Sequence, residues 1–164
     1  MNEVVERPAV KRVREALAEK GLHDRVLVLN SSAATAKDAA EAVGVELGAI
    51  VKSLLFFVGL EPVLVLVAGD RQVNEERLGE ITGLEGPVRK ANANEVQKVT
   101  GFTIGGVAPV GALAPVRVVI DRSLGRYPKI YAAAGHPHCL FETNLDELLH
   151  ITGGQVSDEI AEAA

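Results

Sequence analysis

The chain has 164 residues, 48% hydrophobic and 24% charged, which suits one globular domain with a core of its own. Aromatic residues make up 4% with no Trp, so Val, Leu, Ile and Ala must build that core. The net charge of −5 argues against a general nucleic-acid binder, and the most apolar stretches, residues 50–58 and 62–68, fall far short of the ~20 residues that cross a bilayer.

Residues 1–14 alternate acidic and basic side chains without an apolar run, unlike a secretory signal. The pattern over 7–20 predicts a helix with Val10, Val13 and Leu17 on one face and Gly21 as its stop. Residues 26–29 predict a short strand. Thr35 is placed to cap a second helix, with Asp38 three positions on as in a capping box and Gly44 at the end. Residues 50–58 and 62–68, separated by Gly59-Leu60-Glu61, predict paired antiparallel strands in mid-sheet. They are apolar on both faces, so both faces should be covered.

A short helix is expected over 74–81, closed by Thr82-Gly83. Asn92 or Asn94 caps another that runs to about Thr100. A Gly- and Pro-rich loop follows over 105–111. Strands are expected over 116–121, 129–134 and 139–142, then a helix over 145–150 capped by Asn144. The acidic tail from Gly154 is expected to fray, which divides the chain into residues 1–153 and a tail, 154–164. No repeat or linker interrupts the chain. The mixture predicts a single α+β domain around a mixed, largely antiparallel sheet.

Lys52 is the most unusual residue. On a strand it shares a face with Ile50, Leu54 and Phe56, where an ammonium is costly to bury without a partner or a purpose. It either opens into a cleft, where it would bind a phosphate or carboxylate, or snorkels to water. The loop from Gly105 through Gly106, Val107 and Pro109 to Gly111 fixes a tight path and exposes backbone amides that can hold a carbonyl oxygen. At a strand end, Ala133-Ala134-Gly135-His136-Pro137-His138-Cys139 lets a ligand approach the backbone closely.

His136, His138 and Cys139 find no matching pair elsewhere for zinc, so no metal is expected. Cys139 and His138 are adjacent on a strand and point to opposite faces, which suits no Cys–His nucleophile. The lone cysteine suggests a reducing, cytoplasmic setting. Phosphate-loop, nucleophile-elbow and dinucleotide motifs are absent, so no cofactor is expected. Residues 88–138 hold seven basic side chains against Glu95 and Asp121, a net +5 that leaves −10 on the rest. Such a patch could hold one phosphate-rich end of an RNA or lie scattered on solvated loops.

At these positions the sequence resembles the YbaK-like family of aminoacyl-tRNA editing domains, which includes free-standing deacylases and the editing insertion of bacterial prolyl-tRNA synthetases. The resemblance runs through Thr35-Ala36-Lys37-Asp38-Ala39-Ala40, Ile50-Val51-Lys52-Ser53-Leu54-Leu55-Phe56, Gly101-Phe102-Thr103-Ile104-Gly105-Gly106-Val107-Ala108-Pro109-Val110-Gly111 and Ala133-Ala134-Gly135. It implies a barrel-like mixed sheet flanked by helices. It also implies a catalytic Lys52, a Gly-x-x-x-Pro loop from Gly105 to Pro109 around the aminoacyl ester, and a pocket lined by Thr35, Ala133, Gly135 and His136. Cysteine-selective members tend to carry Ser at the position of Ala133, so the resemblance implies a different amino acid here. The implied activity is hydrolysis of a small amino acid (Ala, Cys or Ser) from tRNA(Pro) or a related tRNA. The implied partners are a tRNA acceptor end and a synthetase. The rival reading is a module of this fold that binds tRNA or a synthetase without catalysis.

Overall fold

In the computed structural model, which describes residues 3–164, helix α1 (Pro8–Glu19) buries Val10, Val13 and Leu17 along one stripe and has Pro8 in its first turn. Met1 and Asn2, the start of the charged N-terminal segment, lie outside the described residues. Strand β1 (Val26–Val28) leads to helix α2 (Ala36–Val43). Thr35 caps that helix by accepting from the Asp38 amide, and Gly44 ends it. Strands β2 (Ile50–Val58) and β3 (Glu61–Ala68) form the central antiparallel hairpin, and the Gly59 turn between them needs its positive φ of 62°.

Strand β4 (Arg71–Val73) and a 3-10 turn (Glu75–Arg77) precede helix α3 (Leu78–Thr82). Strand β5 (Val88–Lys90) then leads to helix α4 (Ala93–Thr100). Asn92 and Glu95 make a reciprocal capping box there, which decides the cap between Asn92 and Asn94. After the loop come β6 (Arg117–Asp121), β7 (Ile130–Ala133), β8 (Cys139–Thr143), helix α5 (Leu145–Thr152), β9 (Gln155–Ser157) and β10 (Ala161–Ala163).

Seven strands run in the order β1-β8-β7-β2-β3-β6-β9, with β5 as an eighth beside β2; β10 and β4 make a separate ribbon. Pairs β2–β7, β3–β6 and β6–β9 are parallel and the others antiparallel. The result is a single α+β domain on a mixed, mostly antiparallel sheet that curves but does not close.

Strand alternation sorts the core. Val51, Leu55, Leu64, Leu66 and Ala68 face α1, α4, α5 and the 102–110 loop. Val63, Val65, Val67 and Phe56 face α3 and the C-terminal Ile160. Ile50 and Leu140 lie under α2 with Ala39 and Ala40. Both faces of the hairpin are therefore covered.

The tail departs from expectation. It does not fray: β9 pairs with β6, β10 pairs with β4, and Ile160 is wholly buried. One apolar side chain and two backbone ladders outweigh the acidic composition that suggested a loose end.

Candidate functional site

The sheet divides at β2. Along one edge β2 pairs with β3 from Val51 to Val58. Along the other, β7 takes Ile50 and Val51, and β5 takes Phe56, Phe57 and Val58. Residues 52–55 are left without a strand on that side, and a cavity of about 340 Å³ fills the gap. This is large enough for a small ligand.

Small side chains make the cavity possible. Ala33, Ala34, Thr35, Ala36 and Ala39 form one wall, before and along α2. Ile104, Gly105 and Val107 form another, and Ala133 with Leu140 closes the β7–β8 side. Lys90, Ala91 and Val96 complete it opposite. Most of this surface is hydrocarbon, so charge within it acts at short range through little water.

Lys52 supplies that charge. It shares a face with Ile50, Leu54 and Phe56, and it lies half-buried on the cavity wall. Its Nζ donates to the Arg71 carbonyl at 2.6 Å. Burial pulls its pKa below that of a free lysine; repulsion from Lys90 adds to this and Asp70 opposes it. Among the described residues no carboxylate pairs with it, so its remaining N–H donors are available to an anionic or carbonyl ligand. Lys90 pairs with Phe56 in register, which puts it on the same face as Lys52.

The Arg71 carbonyl is itself held in place. Asp121, 2% exposed, accepts from the Ala68 amide and from the amide and hydroxyl of Ser123, and lies 3.9 Å from Arg71 Nε. Arg126 grips Asp70 with two hydrogen bonds, fixing the turn between β3 and β4.

The glycine loop is pressed between neighbours. A Cβ on Gly105, whose φ is 94°, would lie 3.0 Å from Ala34 Cβ. A Cβ on Gly106 would lie 2.9 Å from the His136 nitrogen, so no side chain fits between these backbones. Of the residues read from sequence, Thr35, Lys52, Gly105, Val107 and Ala133 line the cavity together. Gly106, Pro109, Gly135 and His136 do not line it. Gly106, Pro109 and Gly135 are buried, and Gly106 backs onto the Gly135–His136 chain.

His136 Nδ1 accepts from the His138 amide, and burial lowers the pKa of its ring. Cys139 is buried and its thiol pKa is raised by that burial, the opposite of an activated thiolate. No three metal-ligating side chains cluster among the described residues.

Sequence reasoning missed Ser53 and Lys90 as wall residues. Ser53 follows Lys52 but points to the opposite face, where its hydroxyl is buried without a partner. Three of the seven basic residues over 88–138 are held in ion pairs: Arg89 with Glu95, Arg122 with Asp158 and Arg126 with Asp70.

Residues 30–151 match the model of the aminoacyl-tRNA editing domain. The chain belongs to this family. Every lining residue of the cavity falls within the matched segment, while β9 and β10 fall outside it.

The uncharacterized protein YwhH of Bacillus subtilis (strain 168) is 32% identical over 149 residues, covering 90% of this chain and 94% of that protein. A proline–tRNA ligase of Lactobacillus gasseri is 38% identical over 98 residues, 59% of this chain; the match spans 17% of the ligase. A crystal structure of a candidate trans-editing enzyme for prolyl tRNA synthetase superposes with a TM-score of 0.85 at 42% identity, covering 93% of this chain and 97% of that one. No helix among the described residues is long and apolar enough to cross a membrane.

Proposed function

We propose that this chain is a free-standing aminoacyl-tRNA deacylase that hydrolyses a small amino acid, Ala, Cys or Ser, from tRNA(Pro) or a related tRNA. The observation that carries the reading is the half-buried Lys52 on the wall of a small, alanine-lined cavity that Gly105 also lines. Nearly full-length similarity to a candidate trans-editing enzyme supports action on tRNA released from a synthetase.

Lys52, with Lys90 beside it, anchors the terminal phosphate or the aminoacyl end. Backbone N–H groups of the loop between Gly105 and Pro109 donate to the ester carbonyl oxygen. Water, or the substrate's own functional group, attacks the carbonyl carbon. With water the acyl C–O bond to the ribose breaks, and the products are a free tRNA hydroxyl and an amino acid whose carboxyl releases a proton. The ester is already activated, so positioning alone removes several kcal/mol of barrier. Small walls admit a small side chain and exclude a larger, correct one by size, whereas one methylene is worth only ~1–3 kcal/mol in an open apolar pocket.

The test is a deacylation assay over a panel of mischarged tRNAs with the wild-type chain and Lys52→Ala. The expected result is turnover of one or a few small aminoacyl esters by the wild type and loss of that turnover in the variant, with the melting curve retained. Equal hydrolysis by both removes the mechanism. Tight binding across the whole panel without turnover identifies a tRNA-binding module instead.

A further inference from the structure

The acceptor that holds Lys52 lies on a strand whose only partner, β10, falls outside the segment matched to the family. Nζ donates to the carbonyl of Arg71, the first residue of β4. Strand β4 lies outside the main sheet and pairs only with β10. The pairing runs Arg71↔Ala163, Gln72↔Glu162 and Val73↔Ala161.

Further contacts tighten this ribbon. Arg71 Nη2 donates to the Ala161 carbonyl at 2.6 Å, and the Asn74 amide donates to the Ile160 carbonyl at 2.7 Å. Ile160 is wholly buried beside Leu78 and Val65. Arg77 pairs with Glu159, and Arg122 with Asp158.

We propose that the C-terminal segment 158–164 is a positioning element for Lys52: by pairing with β4 it holds the Arg71 carbonyl where the ammonium meets it. Arg71 is the positioning residue of this arrangement, because its side chain hydrogen-bonds β10 and sets its positive charge beside buried Asp121, with Nε 3.9 Å away and without a hydrogen-bond partner. No residue of the segment lines the cavity, so it acts through Lys52. Its effect on turnover rests on the editing reading; its effect on the lysine does not.

Two variants test this: truncation after Ser157, and Arg71→Met, which keeps the full chain if the truncated one fails to fold. Glu162→Gln, which removes one exposed charge from β10 and leaves the backbone ladder in place, is the control. In the free protein, acetylation by a small activated ester, followed by mass spectrometry, should speed up at Lys52 relative to Lys98 in both variants and not in the control. An unchanged ratio overturns the latch, whatever the protein's substrate.

In turnover, kcat/KM should fall roughly tenfold to a hundredfold, as expected when a catalytic group shifts by about 1 Å. Binding of an aminoacyl-tRNA analogue with a non-hydrolysable amide link separates positioning from general damage. Arg71→Met should weaken binding in the wild-type background and add nothing in the Lys52→Ala background. The same loss in both backgrounds overturns the proposal in favour of a structural role. Absence of turnover in the wild type, with the acetylation result intact, defeats the editing reading and leaves the latch standing.

Discussion

Lys52 and Lys90 set the chemistry of the cavity through their mutual repulsion. Burial and Lys90 both disfavour the protonated lysine, so its pKa lies below that of a free lysine. The sign for stability follows: the cost of the buried charge is felt below the folded pKa and is relieved as pH rises through it. For activity the order is reversed. If the ammonium is the working form, kcat/KM should fall on the alkaline side at a lower pH than a free lysine would give. Lys90→Gln removes one of the two causes and should move that limb to higher pH while raising KM. A pH–rate profile of the two proteins measures this; a limb that stays in place, or moves down, excludes Lys52 as the titrating group. Lys52 was legible in the sequence because a charge in an apolar strand is conspicuous. Ser53 was not, because a serine next to it carries no such anomaly, and its place on the cavity wall depends on where β7 and β5 stop.

The helices were the most legible elements, for a physical reason: their ends are written in local chemistry. Thr35, Asn92 and Asn144 each accept from a backbone amide in the first turn, and Gly44, Gly101 and Gly153 end the same three helices. Long strands were legible through their apolar runs. Strands β4, β5, β9 and β10 were not, because each is three residues long and exists through pairing with distant partners that no local pattern reveals. α4 matters beyond its own stability, since Val96 reaches the cavity wall. Asn92→Ala removes the cap and should cost about 0.5–2 kcal/mol, read as a lower melting temperature and denaturant midpoint. An unchanged midpoint would mean that tertiary packing alone holds the helix.

At the scale of the molecule, charge decides what can approach the cavity. The chain carries −5 overall, and acidic partners neutralise three of the arginines in its basic stretch. Lys52 and Lys90 remain beside the cavity, without a carboxylate partner among the described residues. The sequence shows the clustering but not which of these bases folds against an acid, because sequence distance does not reveal the pairing. The consequence is quantitative. A single-stranded acceptor end that meets about two lysines should release few counterions. The slope of log K against log[salt] should then be shallow, roughly −1.5, since single strands contribute about −0.7 per neutralised phosphate. Lys90→Gln should reduce its magnitude by about 0.7. Titrations of the tRNA analogue at several salt concentrations measure both values. A slope several times steeper would mean that the RNA lies along an extended basic surface, with Lys98 and Lys129 among its contacts, and is not held by its end at the divided edge of β2.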